Sequence, residues 1–165
     1  MKIYFFLSLF LVFGFVSVEA QNGYTAENEG WLVKLDEAYT LSKKTGKPIL
    51  ANFTGSDWCG WCKRLTADVF SKPEFKKWAD KNVVLLELDF PRRKQLPEDI
   101  RQQNFNLQQG FNVRGYPTIW VFNLEKDPKT GSFNIDPLGN SGYRKTVEQF
   151  TSEIDEFIKA KKKAK

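Results

Sequence analysis

Residues 48–63 read PILANFTGSDWCGWCK, and this stretch decides the fold. Pro48 opens an apolar run, Ile49 to Phe53, that reads as a buried strand. A short loop follows, and then a helix that opens on Cys59-Gly60-Trp61-Cys62. Cys59 and Cys62 are the only cysteines in the chain. Their position carries a chemical argument. Only a thiolate attacks a disulfide or leaves from one. A helix start presents free backbone N–H groups and roughly half a positive charge, which favour an anion. Cys59 is therefore expected to be more acidic than a free cysteine at about 8.5, within the range of roughly 3.5–7.5 seen at such sites. Cys62 lies one turn further along the same face, close enough to close a ring. The pattern points to a pair in which Cys59 attacks and Cys62 resolves the mixed disulfide.

Composition removes most rival chemistries. The chain contains no histidine, which rules out Cys-His and Ser-His-Asp catalysis and the commonest transition-metal ligand. Two cysteines cannot complete a tetrahedral zinc site unaided, so no metal is expected; nor is a bound cofactor, because the cysteine pair is itself the redox centre. The formal net charge is +5, and Lys159, Lys161, Lys162, Lys163 and Lys165 account for all of it. The basic balance is a property of the tail, and no nucleic-acid partner follows from it. At 165 residues, with fifteen Phe and five Trp, the chain can build one domain with a full core.

The order of elements after residue 20 is a helix over Trp31 to Lys44, the strand Ile49–Phe53, the cysteine helix, and a helix restarted by a capping box at Ser71-Lys72-Pro73-Glu74. Phe75 and Trp78 anchor that second piece. A central parallel strand over Val83 to Leu88 follows, interrupted by Glu87, which reads as an edge-of-core salt bridge or a group near the site. Residues 98–109 read as a helix, 119–122 as a strand, and 127–131 as a turn before a return strand through Phe133 and Ile135. A last helix is capped at Thr146, with Val147, Phe150, Ile154, Phe157 and Ile158 on its core face. Arg92-Arg93-Lys94 reads as a solvated turn or a partner contact, and the lysine tail as a disordered end.

Residues 1–20 read as a secretory signal peptide: Lys2, an apolar run from Ile3 to Val18, and small residues at Val18 and Ala20 before a cleavage site. The rival is an uncleaved anchor, although a span needs about 20 apolar residues. No cysteine follows the run, so lipid attachment there is not expected. An exported chain meets an oxidising compartment, where disulfide chemistry is useful. The domain is assigned to 21–165, ordered over about 30–160, with Gln21 to Gly30 loose.

The segment from Asn52-Phe53 through Trp58-Cys59-Gly60-Trp61-Cys62-Lys63 resembles the active-site segment of the thioredoxin superfamily. Val113-Arg114-Gly115-Tyr116-Pro117-Thr118 is similar to the loop that carries the family's cis-proline. Within the superfamily the likeness is greatest to secreted bacterial proteins of the disulfide-interchange type. It implies an α/β thioredoxin fold, a βαβαββα core with a central mixed sheet flanked by helices, here with an added N-terminal helix. It implies an exported thiol–disulfide oxidoreductase acting on protein thiols and disulfides, read here as a reductase or interchange protein with isomerase and oxidase as the other directions of the same architecture. No dimerisation segment is evident in the sequence, so a monomer is expected. A membrane thiol–disulfide relay, or a quinone-linked oxidase for an oxidant, would reset it.

The resemblance also assigns residues. Cys59 and Cys62 are the redox pair, Trp58, Trp61, Tyr116 and Pro117 shape a substrate groove, and the Gly60-Trp61 dipeptide tunes the potential. Many thioredoxins carry a buried aspartate where this chain has Asn52. An amide cannot accept a proton near neutral pH, so Asp57 or water becomes the alternative route. The other reading of the pair is a non-catalytic binding or adaptor module with a structural bridge. A four-residue ring gains little loop entropy, which argues against a staple.

Overall fold

Strand β1, Ile49–Thr54, is buried at every position, because it lies inside the sheet and is covered on both faces. The computed structural model describes residues 23–163; the expected signal peptide over residues 1–20 lies outside the described residues. On one side β1 pairs in parallel with β2, Val84–Asp89. On the other it pairs antiparallel with β3, Thr118–Lys126, which pairs antiparallel with the edge strand β4, Phe133–Ser141. The order is β2-β1-β3-β4, a mixed sheet.

Two layers of helix cover it. Ile49, Ala51 and Phe53 face one core with Leu35 and Ala38 of α1 (Leu35–Thr45) and Leu107 of α4 (Glu98–Gly110). Leu50 faces the other core with Leu65 of α2 (Gly60–Leu65), Phe75 of α3 (Pro73–Asn82) and Phe150 of α5 (Val147–Lys163). This is the mixed sheet flanked by helices, with α1 added at the N-terminal side, that the sequence led one to expect.

Four local expectations are corrected. The helix expected from Trp31 begins only at Leu35. Residues 31–33 are extended: Leu32 bridges to Leu86 in parallel, donating to the Leu85 carbonyl at 3.0 Å and accepting from the Glu87 N–H at 2.8 Å. Trp31 and Val33 are both buried, two apart, which is strand spacing. No capping box forms at Ser71. The N-cap is Lys72 with no side-chain cap, and Ser71 Oγ instead donates to the Ala67 carbonyl at 3.2 Å. The helix restarts because a π turn over Thr66–Phe70 ends the cysteine helix and Pro73 begins the next. The basic tail is helical as far as Lys163, and Lys161 pairs with Asp136 at 2.7 Å. The expected looseness of residues 21–30 fails from Tyr24 onward, for reasons given with the site.

Strand β4 carries Pro137 at an irregularity opposite Val121 and Phe122, where a missing N–H is tolerated on an edge strand. Gly139 follows, with the Phe157 ring of α5 directly above it. A Cβ at Gly139 would lie 2.5 Å from Phe157 Cγ. Gly139→Ala is therefore expected to cost about 1–3 kcal/mol by overpacking, read as a lower midpoint in thermal denaturation.

Candidate functional site

The cysteine pair is positioned by the end of β1. After Thr54 the chain turns at Gly55, whose carbonyl accepts from Trp58 N–H at 3.2 Å and Cys59 N–H at 2.8 Å. Only glycine fits at this turn, because a Cβ there would lie 2.5 Å from the Trp58 indole. Cys59 is the N-cap of α2, and its Sγ accepts from Cys62 N–H at 3.2 Å. Cys59 and Cys62 form a disulfide with Cα atoms 5.3 Å apart. Their exposures are 6% and 4%, so the bridge is largely covered. A donor aimed at Cys59 Sγ stabilises a thiolate there once the bridge opens.

Two tryptophans flank the bridge and differ in kind. Trp58 is fixed: its Nε1 donates to the Phe90 carbonyl at 2.8 Å, Tyr116 meets it edge-on at 5.8 Å, and the Arg92 guanidinium lies 3.8 Å over its ring. Trp61 is 56% exposed, beside Tyr143 at 5.1 Å and Arg64 at 5.3 Å. Gly60 lies on the open face of α2, where a Cβ would meet nothing within 4 Å. The Tyr116–Pro117 peptide is cis. The Tyr116 ring packs on Phe90 at 5.2 Å, and its hydroxyl accepts from Gln108. Burial, reinforced by Asp89, holds that phenol above its ordinary range.

The two candidate proton-transfer residues lie differently. The Asp57 carboxylate accepts from the backbone N–H of Arg92 at 3.1 Å and of Arg93 at 2.6 Å. Burial pushes its carboxyl up, but those two N–H groups outweigh it and hold the group below its ordinary range. Asp57 therefore ties down the 90s loop. Lys63 is tied to the same turn, donating to the Asp57 carbonyl at 3.1 Å. Asn52 is buried on the cysteine side of β1, and its Oδ1 has no hydrogen-bond partner among the described residues.

Two buried acids on β2 complete the site. Glu87 is the register partner of Asn52, and Asp89 that of Thr54. The expected Glu87 salt bridge is absent among the described residues. Glu87 instead accepts from Glu27 N–H at 2.7 Å, Asn28 N–H at 3.2 Å and Asn28 Nδ2 at 2.6 Å. Asp89 accepts from Ser56 N–H at 2.9 Å and Ser56 Oγ at 2.6 Å, and pairs with Lys94 at 3.1 Å. Lys94 also pairs with Glu27, and Tyr24 donates to Asp89 at 3.5 Å. These bonds pin residues 24–28 across the end of β2. Sequence reasoning missed Asp89 altogether. The available signal was its place two residues beyond Glu87, on the same face of the strand.

Burial raises the Glu87 carboxyl above its ordinary range, against the opposing pull of the Glu27 and Asn28 donors. The linkage sign follows. Between the ordinary value of 4.5 and the raised midpoint, the folded chain binds a proton that the unfolded chain releases. In that window Glu87's contribution favours folding at the acid end and is lost as pH rises. The expected result is that wild type loses stability relative to Glu87→Gln on going from mildly acid to neutral pH, checked by denaturant titration of both proteins across that range.

A sulfur pair that thiol exchange can open and close, at a helix start beside a cis-proline loop, is the chemistry of a thiol–disulfide oxidoreductase. The chain matches the thioredoxin-like domain family over residues 35–130. It is 35% identical over 112 residues to the disulfide bond reductase DsbH of Chlamydia pneumoniae, covering 68% of this chain and 67% of that protein. It is 29% identical over 137 residues to the thioredoxin-related protein DsbJ of the same organism, covering 82% of this chain and 39% of that one. A solved DsbH oxidoreductase structure superposes with a TM-score of 0.67 at 30% identity, covering 81% of this chain and 87% of that chain. The chain belongs to the thioredoxin-like family.

Proposed function

We propose that the chain is an exported reductase or interchange protein that passes electrons from Cys59 and Cys62 to disulfides in protein substrates. The observation that carries this is the Cys59–Cys62 bridge at the start of α2, with Cys59 as the helix N-cap accepting from Cys62 N–H, next to the exposed Trp61. Similarity to a protein named as a disulfide bond reductase supports the direction.

In the reduced chain the Cys59 thiolate attacks one sulfur of a substrate disulfide and expels the other as a thiolate. Cys62 then loses its proton and attacks Cys59 Sγ. The Cys59–Cys62 bond forms, the mixed disulfide breaks, and the second substrate thiol leaves. Two electrons have passed from the chain to the substrate, and a partner dithiol must restore them. A membrane thiol–disulfide relay fits that role for an exported monomer cleaved after Ala20. Trp58, Gly60, Trp61, Tyr116 and Pro117 form the rim against which an extended substrate segment lies.

The test is mild reduction followed by labelling and a turnover assay. One fast-reacting thiol at Cys59, with catalytic reduction of a protein disulfide, is the expected result. An inert pair after reduction would contradict it and leave the structural-bridge reading standing.

A further inference from the structure

The resolving step leaves a proton unassigned. Cys62 is 4% exposed, so its thiol has little direct access to bulk water. The other polar groups of the site are ill suited or already engaged. Asn52 carries an amide. Asp57 is bound to the backbone of Arg92 and Arg93. Asp89 is bound to Ser56 and Lys94.

Glu87 differs from these. It is 1% exposed, has no ion pair among the described residues, and lines one cleft of about 220 Å³ together with Cys62. Thr54, Ser56 and Thr66 line the same cleft. Water occupies about 30 Å³ per molecule in the liquid, so the cleft has room for a short chain of it among polar partners. We propose that Glu87 is the proton-relay residue of the resolving cysteine, taking the Cys62 proton through this cleft as Cys62 attacks Cys59. The proposal rests on the oxidoreductase reading above and adds a residue to it.

The balance is simple. Cys62 thiol and Glu87 carboxylate become Cys62 thiolate and Glu87 carboxylic acid. The thiolate then forms the disulfide and expels the substrate thiolate, and the Glu87 proton passes to that thiolate or to solvent. The fold keeps Glu87 suited to this. Burial favours its neutral form, while donors from residues 27 and 28 oppose that preference. The charged and titratable groups around it are Asp89 on its own strand, Lys94 from the following loop, Tyr24 and Glu27 from the N-terminal segment, and Lys63 beside Cys62. Glu27 lines the cleft too, but it is paired with Lys94, as Asp89 is; Glu87 is the buried acid of the cleft with no ion pair among the described residues.

Single-turnover stopped flow with a chromogenic aromatic disulfide separates the steps. The reduced chain, in excess, releases one dye thiolate when Cys59 attacks and a second when Cys62 resolves. In Glu87→Gln the first phase is expected to stay within about twofold, while the second slows about tenfold or more at neutral pH. The second phase should also lose the carboxyl inflection from its pH profile. An unchanged second phase with an unchanged profile overturns the proposal. Should the variant fail to fold, infrared titration of the wild-type carboxyl decides. Its midpoint is expected to differ by about one pH unit between the reduced and disulfide forms, as coupled groups do, and an identical midpoint overturns the relay. A wild-type chain that releases no dye overturns the oxidoreductase reading, and the relay with it.

Discussion

Cys62→Ser is expected to trap the chain on its substrates. With Cys59 intact, the first attack proceeds and a mixed disulfide forms. Nothing on the same helix turn can then resolve it. In the wild type that attack is intramolecular, between residues whose Cα atoms are 5.3 Å apart. Well-oriented intramolecular reactions reach effective concentrations on the order of 10⁵ M. An external thiol at millimolar concentration replaces this poorly, so turnover should fall by roughly a thousandfold or more. The expected readout is a covalent adduct on non-reducing gels that disappears with strong reductant. Cys59→Ser should lose turnover without forming the adduct. Equal adduct yield from both variants would mean that Cys62 can attack in place of Cys59, which the N-capping position of Cys59 argues against.

The second large effect concerns the layer that supports the cysteine helix. Phe150 of α5 is fully buried and meets Phe70 at 5.5 Å and Phe75 at 5.9 Å, both edge-on. Phe70 ends the π turn that follows α2, and its ring also lies 4.9 Å from Trp31. Phe150→Ala would open a void in this aromatic cluster, at a cost of about 3–5 kcal/mol. For a domain of this size each kcal/mol lowers the midpoint by about 2–4 °C, so a fall of roughly 6–20 °C is expected in circular dichroism melts. A shift of under a couple of degrees would show that the cluster relaxes around the gap. The Cys59–Cys62 bridge should still form in the variant, because the Gly55 turn and the helix cap that set it are local.

The central strand and the cysteine helix were legible because their signals are local. An apolar run stops at Gly55, and two cysteines sit three apart. Pro117 was reached through its family resemblance and not through composition. The strand character of 31–33 was hidden because the helix that follows supplies enough apolar residues to suggest one continuous period. Glu87 was visible as a charge inside an apolar strand, but its environment was not. Its partners are backbone and side-chain donors of residues 27 and 28, about sixty residues away, and a backbone N–H leaves no mark in the sequence. The same holds for Arg92. Its place over Trp58 depends on the Asp57 carboxylate holding the loop by main-chain N–H groups. Side chains that pack by period can be read from a sequence. Polar groups that meet across long loops emerge only when the chain is folded.

The most direct measurement is the reduction potential of the Cys59–Cys62 pair, obtained by equilibrating the protein against glutathione buffers. Each 30 mV corresponds to about 1.4 kcal/mol for this two-electron couple. A donor of electrons to substrate disulfides is predicted to lie near −270 mV, as thioredoxin does. A value near −120 mV would mean that the pair oxidises its substrates, and the reductase reading would be wrong.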